Sequence, residues 1–198
     1  MRDIDVNIRH GAFLPHWTKE GAAYNVSFRL ADSVPQERLA AWKEERKELL
    51  QKIADRKITP SEEQRLTYLL SEKIEHYLDA GHGHCWLRNP AIAQLVKNAL
   101  EYFDGERYQL HAWCIMPNHV HVVLEPISHP LHEILRSWKM FTAREANKVL
   151  QRSGLFWQTE YFDHLIRNDE SLERAVEYVW NNSDAAGLKN WEWRWRMQ

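Results

Sequence analysis

The stretch from Tyr108 to Glu125 constrains the fold more than any other part of the chain. It contains two apolar runs, Tyr108 to Met116 and His119 to Glu125, joined at Met116-Pro117-Asn118. Proline fixes φ for a turn, and asparagine tolerates the backbone conformations that follow it. The pattern therefore predicts a β-hairpin in the middle of the chain.

The second strand of this hairpin carries two histidines on one face. Side chains alternate along a strand, so His119, His121 and Val123 lie on one face, and the opposite face is wholly apolar. Neutral imidazole is a common ligand for divalent metals, and two of them on one strand face can converge without a flexible loop. We therefore interpret the pair as a candidate metal site, with packed or solvated histidines as the alternative.

Composition and charge narrow the class of protein. The 198 residues, 44% of them hydrophobic, suffice for one domain with a substantial core. A formal charge of −2 and a pI near 6.6 lack the basic signature of many nucleic-acid binders, so any DNA contact has to come from a local patch. Cys85 and Cys114 have no CxxC spacing and no 18-residue apolar run occurs, so we expect a cytoplasmic chain that spans no membrane.

The segments around the hairpin complete a fold prediction. Alternation from Tyr24 to Leu30 predicts a strand, Asn89-Pro90 opens a helix, and apolar spacing from Leu131 to Val149 predicts a second helix. Tyr161 to Arg167 predicts a short strand. This order indicates an α+β fold, a ferredoxin-like split βαβ antiparallel sheet with helices on one face.

A charged segment interrupts this order. Pro35 suits the first turn of one helix, and Thr59-Pro60-Ser61-Glu62 is typical of a capping box that opens another. We expect one domain over 1–198 with a helical hairpin inserted at about 34–80. Met1 to Ala23 shows no clear periodicity. Gly81 to Cys85 contains two histidines, and we favour a glycine-rich loop over metal binding because no second ligand pair at zinc-like spacing follows.

The C-terminal part holds a last helix and an aromatic tail. The helix begins at Asn168 or Asp169, and it carries Tyr178 and Asn182 four residues apart, so a phenol and an amide share one flank. From these residues alone, Tyr178 is a packing residue. The tail from Trp191 to Arg196 alternates aromatic and charged residues, which favours a surface for unpaired bases and a docked strand equally.

Three segments resemble one known family. MPNHVHVVLEP, FWQTEYFDHLIRN and AVEYVWNN with the following AGL are similar to the REP-associated tyrosine transposases, a branch of the single-tyrosine HUH transposases. That family has a histidine, bulky apolar residue, histidine motif, which His119-Val120-His121 matches. The resemblance covers roughly Tyr24 to Leu188. One departure is Asn182-Ser183-Asp184, where the family commonly has proline and a basic residue after the asparagine.

The resemblance implies a site and a reaction. It implies the same fold, Tyr178 as the nucleophile on the C-terminal helix, and Asn182 joining His119 and His121 around Mg²⁺ or Mn²⁺. Tyr161 is the alternative tyrosine. The implied activity is metal-dependent cleavage and rejoining of hairpin-flanked single-stranded DNA through a 5′-phosphotyrosine.

The expected partner is single-stranded or hairpin DNA, and we expect a monomer or a homodimer. The candidate DNA contacts are Asn118, Trp157, Arg167 and Lys139. Two other functions fit the same residues. One is a non-cleaving DNA repeat-binding protein of the same fold, and the other is a metal-dependent phosphohydrolase in which water attacks and Tyr178 is structural.

Overall fold

A five-stranded antiparallel sheet forms the centre of the molecule. The computed structural model describes residues 7–10, 15–18, 21–53 and 73–197. The elements in chain order are β1 (Asn7–His10), β2 (Pro15–Thr18), β3 (Tyr24–Arg29), α1 (Gln36–Ile53), α2 (helical at 73–79), a 3₁₀ turn (Trp86–Arg88), α3 (Pro90–Glu101), β4 (Tyr108–Ile115), β5 (His119–Pro126), α4 (Leu131–Val149), β6 (Phe162–Leu165), α5 (Asp169–Ala185) and β7 (Arg194–Arg196).

The strand order confirms the ferredoxin-like prediction. The sheet runs β6-β3-β5-β4-β7, and each neighbouring pair is antiparallel. The first four of these strands reproduce the split βαβ arrangement, with β5 inserted between β3 and β4. The tail adds β7 to the free edge of β4, so it is a docked strand of the sheet.

The two faces of the sheet carry different helices and different chemistry. Helices α3 and α4 pack on the face that holds Val120, Val122 and Leu124. Helix α5 packs on the opposite face with Val123. Because residues alternate along β5, His119 and His121 also face the α5 side. The predicted separation of the two faces of β5 is confirmed.

A bulge in β4 changes which residues face α5. The register between β4 and β5 shifts between Leu110 and Ala112. Leu110 and Trp113 pack in the core under α3 and α4, whereas Ala112 and Cys114 pack towards α5. An extra residue in one strand reverses the alternation beyond it, and the sequence pattern alone did not indicate this.

The described parts of the charged segment are the helices α1 and α2, which pack together. The buried residues of α1 and α2 form one small apolar cluster with Val34: Leu39, Ile74 and Leu78. Trp42 of α1 packs edge-on against Tyr77 of α2, with ring centroids 5.7 Å apart. The predicted capping box at Thr59 lies outside the described residues.

Two further findings concern the N-terminal segment and the helices. Strands β1 and β2 pair as a separate two-stranded antiparallel sheet, although this segment shows no hydrophobic periodicity. Within the described ranges, none of the helices combines the length and apolar character needed to cross a bilayer.

Candidate active site

The imidazoles of His119 and His121 meet on the α5 face of the sheet. Both side chains are fully buried. Their Nε2 atoms lie 2.9 Å apart, and the ring planes are nearly perpendicular at 84°. Strand β3 borders the pair, because Arg29 and Ser27 are the register partners of His119 and His121.

Asn118 determines the tautomer of His119. The Asn118 Nδ2 group donates to the backbone oxygens of Leu78 and His82 at 3.1 and 2.9 Å, which fixes the orientation of the amide. Its Oδ1 therefore faces Nδ1 of His119, 2.7 Å away. An amide oxygen only accepts, so Nδ1 carries the proton. The Nε2 lone pair of His119 therefore points towards His121.

The surroundings keep both imidazoles neutral. Burial lowers the pKa of His121 to about 4. Burial, followed by the neighbouring His121 and Arg29, lowers the pKa of His119 well below its ordinary value. Neutral imidazoles offer lone pairs, which is the form that binds metal ions. Nδ1 of His121 is buried without a hydrogen-bond partner.

Helix α5 brings Tyr178 to the histidines and buries Asn182 one turn later. Its first turn is fixed by Asn168, whose side chain accepts from the backbone NH of Ser171 at 2.8 Å, as predicted for an N-cap. The Tyr178 ring lies edge-on to His121, with centroids 5.8 Å apart. One turn later, Asn182 is 4% exposed and its Oδ1 has no hydrogen-bond partner.

Helix α2 contributes two carboxylates that the sequence analysis missed. Tyr178 donates a hydrogen bond of 2.9 Å to Oε2 of Glu75. Asp79, one turn later, places Oδ1 3.7 Å from Nε2 of His119. In the sequence, Glu75 and Asp79 directly follow the apolar residues Ile74 and Leu78 at the same four-residue spacing, which places both carboxylates on one side of a helix.

The surroundings disfavour the charged forms of Tyr178 and Asp79. Tyr178 is 42% exposed, but partial desolvation of its phenol, followed by the negative charge of Glu75, raises its pKa, and a hydrogen bond with Asn182 partly offsets this. Burial raises the pKa of Asp79 to about 6, against the lowering effect of His76. The phenol is therefore protonated at neutral pH in the folded chain.

The predicted ligand set fits a divalent cation in its chemistry. Adjacent ligands of an octahedral ion at about 2.1 Å lie about 3 Å apart, close to the 2.9 Å between the two Nε2 atoms. Among the described residues, no three His, Cys, Asp or Glu side chains are clustered to hold a metal. The amide oxygen of Asn182, the third member of the predicted set, is buried without a hydrogen-bond partner and is a donor type that such ions accept.

Comparison with known proteins identifies the family. The family model described as "Transposase IS200 like" matches residues 84–182, which is half of the chain and includes both histidines, Tyr178 and Asn182. The chain belongs to the IS200-like transposase family.

Two individual proteins resemble this family member. A Haemophilus influenzae protein assigned as a REP-associated tyrosine transposase is 26% identical over 111 residues, which are 48% of this chain and 61% of the relative. The chain therefore spans less than two thirds of that relative. A solved REP-associated tyrosine transposase, bound to a REP hairpin, superposes with a TM-score of 0.50 at 15% identity. The superposition covers 87% of this chain and 73% of the solved chain, which shows that the two proteins share a fold.

Three of the four candidate DNA contacts of this IS200-like transposase are buried or half-buried in the fold. Trp157 is 4% exposed, packs edge-on to Phe28 at 4.9 Å and donates from Nε1 to Thr142 at 2.8 Å. Asn118 is fully buried. Lys139 donates 2.7 Å hydrogen bonds to two backbone oxygens, those of Gln158 and Thr159. These contacts make all three residues part of the packing, and only Arg167 has an exposed side chain.

The remaining candidates also have defined positions. Tyr161 packs against the core on the α3 and α4 side, the opposite face from the histidines. His84 pairs with Asp32 at 2.5 Å and stacks on Trp86, so the segment at 81–85 is a structured loop. Gly83 has φ of +86°, and a Cβ there would lie 2.8 Å from the backbone oxygen of Asp32. The preference for a loop over a metal site agrees with these contacts.

Proposed function

We propose that this protein cleaves and rejoins single-stranded DNA, with Tyr178 as the nucleophile. The observation that carries the proposal is the edge-on contact of Tyr178 with His121, whose Nε2 lies 2.9 Å from that of His119. A phenol beside two neutral imidazoles and a buried amide is the arrangement expected for attack on a phosphodiester. Membership of the IS200-like transposase family supports the same reaction.

His119, His121 and Asn182 would hold a divalent cation beside Tyr178. Oxygen and nitrogen ligands of this kind favour Mg²⁺ or Mn²⁺ over a closed structural zinc site. The bound cation would withdraw charge from the scissile phosphate and orient it. Asn118 and the wall of β3 keep the imidazoles in place, so the ligand nitrogens are preorganised.

The reaction follows from the chemistry of a phenol and a phosphodiester. The Tyr178 oxygen forms a bond to phosphorus, and the bond to the 3′ oxygen of the DNA breaks. The products are a 5′-phosphotyrosine and a free 3′-hydroxyl. The phosphotyrosine bond is similar in energy to the phosphodiester bond that breaks, so the step is reversible. A 3′-hydroxyl from another strand can therefore displace the tyrosine and join the DNA without ATP.

The proposed substrate is single-stranded DNA that carries a hairpin. The similar solved transposase was bound to a REP hairpin, and that likeness supports the proposal for this chain. Arg167 lies two residues after strand β6 and is exposed, so it is the proposed phosphate contact among the four sequence candidates. The other three candidates would affect DNA binding indirectly, because they stabilise the fold: Trp157, Lys139 and Asn118.

A covalent adduct tests the proposed function. A pool of hairpin-forming oligonucleotides with randomised flanks, labelled internally and at the 5′ end, would be incubated with the protein and Mn²⁺. We expect a labelled adduct on a denaturing gel that is abolished in Tyr178→Phe and retained in Tyr161→Phe. Cleavage that survives Tyr178→Phe would support a hydrolase, and binding without cleavage would support a DNA-binding module.

A further inference from the structure

Helix α2 of the inserted segment forms one wall of the site. Ile74 and Leu78 are buried on one side of α2, and the backbone oxygen of Leu78 accepts from Asn118. Glu75 and Asp79 are therefore held against the strand and helix that carry the proposed catalytic residues. The insertion contributes side chains to the site from a part of the chain outside the residues matched by the family model.

Glu75 bridges two elements on the active-site face. Its Oε2 accepts the hydroxyl hydrogen of Tyr178 at 2.9 Å, and its Oε1 lies 3.4 Å from Oγ of Ser27, which donates to it. Ser27 is the register partner of His121 on β3. Ser27 therefore orients the carboxylate through Oε1, while Oε2 contacts the proposed nucleophile.

This is the arrangement of a nucleophile, a base and a group that orients the base. A general base has to lie about 2.6–3.2 Å from the atom whose proton it takes, and Glu75 meets that condition. A phenol has an ordinary pKa near 10, so it needs such a base at neutral pH. His121 also lies against Tyr178, with ring centroids 5.8 Å apart, but the hydroxyl hydrogen of the phenol is donated to Glu75.

We infer that Glu75 is the general base of the reaction, taking the proton of Tyr178 as its oxygen attacks the phosphate. This inference rests on the proposed function. In cleavage, the proton moves from the Tyr178 oxygen to the Glu75 carboxylate, the bond between the tyrosine oxygen and phosphorus forms, and the departing 3′ oxygen takes a proton from solvent. In joining, protonated Glu75 returns its proton to the departing phenol as the incoming 3′-hydroxyl loses one to solvent.

Glu75→Gln tests this inference because glutamine keeps the size and polarity of the side chain and removes the base. The readout is the single-turnover rate of adduct formation with the hairpin oligonucleotide pool and Mn²⁺, with DNA affinity and thermal melting measured on the same samples. We expect the rate to fall about 10²- to 10³-fold while affinity stays within about threefold. Glu75→Asp, which keeps a carboxylate, should recover part of the rate. Glu173→Gln, an exposed glutamate on α5, is the matched control and should react like wild type.

A second arm separates base catalysis from packing. Trifluorotyrosine placed at position 178 has a phenol that ionises near neutral pH, so it depends less on a base. We expect Glu75→Gln with trifluorotyrosine at position 178 to react about tenfold or more faster than Glu75→Gln with the natural tyrosine. A purely structural role of Glu75 would not produce this recovery.

The outcomes distinguish the two claims. An unchanged or faster rate in Glu75→Gln, or a loss that the more acidic phenol does not repair, would overturn the role of Glu75 and leave the proposed function intact. Failure of the wild type to form an adduct with any member of the pool would remove the proposed function, and this inference with it.

Discussion

The amide oxygen of Asn118 accepts a hydrogen bond from Nδ1 of His119, with the two atoms 2.7 Å apart. Because the amide nitrogen is already committed to two backbone oxygens, this contact can form in one orientation only. It presents the Nε2 lone pair of His119 to the site. Asn118 therefore acts on the proposed metal site through His119, while its side chain has no exposed surface for DNA.

Removing this contact should weaken metal binding. Asn118→Ala leaves His119 free to adopt the other tautomer, and the loss of such a partner typically lowers metal affinity about 10- to 100-fold. Titration calorimetry with Mn²⁺ measures the change directly. Asn98→Ala, which removes an exposed amide on α3, is the control and should bind as wild type. Equal Mn²⁺ affinity in Asn118→Ala and wild type would contradict the role given to Asn118.

Acid should destabilise the metal-free protein through the buried histidines. Burial lowers the pKa of His121 to about 4, so its imidazole stays neutral in the folded chain but takes up a proton on unfolding below about pH 6.5. Such a group makes the free energy of unfolding fall as pH falls between 6.5 and 4, by about 1.4 kcal/mol per pH unit. His119 acts in the same direction.

Asp79 opposes this effect because its folded pKa is raised to about 6, so it binds a proton in the folded chain first. The histidine contribution is isolated by comparing variants. Urea unfolding in the presence of a chelator at pH 7, 6 and 5 should show a shallower pH dependence in His121→Gln than in wild type. His129→Gln, in the loop before α4, is the control. The same slope in His121→Gln and wild type would refute the buried neutral imidazole.

The local patterns of the chain were sufficient to predict the four strands β3 to β6 and the shared face of the two histidines. The turn at Pro117-Asn118, the alternation from Tyr24 to Leu30 and the Asn168 cap each specify an element through contacts close in sequence. The order of those elements then limits the topology to the ferredoxin-like arrangement. For the same reason, His119 and His121 could be assigned to one face before any tertiary contact was known.

Long-range contacts account for what the sequence did not reveal. Glu75 meets Tyr178 across 103 residues, and no local pattern encodes that hydrogen bond. Trp157 and Lys139 are residue types that often contact DNA. In the fold, Trp157 donates to Thr142 in the core, and Lys139 donates to two backbone oxygens. Whether an aromatic or basic side chain faces solvent depends on its tertiary partners, as these two residues illustrate.

Trp157 should matter for stability and little for DNA contact. Trp157→Ala removes a buried ring and its hydrogen bond to Thr142, and should lower the free energy of unfolding by about 3–5 kcal/mol. Trp157→Phe keeps most of the packing, so the folded variant should bind hairpin DNA within about twofold of wild type. Urea unfolding and fluorescence anisotropy measure the two quantities. A folded Trp157→Phe variant with strongly reduced affinity would show that the indole contacts DNA.

Arg167 should contribute one phosphate contact. Arg167→Ala should weaken binding of hairpin DNA at low salt and reduce the slope of log affinity against log salt by about one. Arg136→Ala is the matched control, because Arg136 is exposed on α4, the helix layer on the opposite face from the histidines. Equal salt slopes in wild type and Arg167→Ala would exclude this contact.

Peptide mapping of the trapped protein–DNA adduct tests the central claim most directly. After nuclease and protease digestion, mass spectrometry locates the residue that carries the 5′-phosphonucleotide. The account predicts the modification on Tyr178, the tyrosine that lies against His121. Modification of Tyr161, or of any residue other than Tyr178, would contradict it.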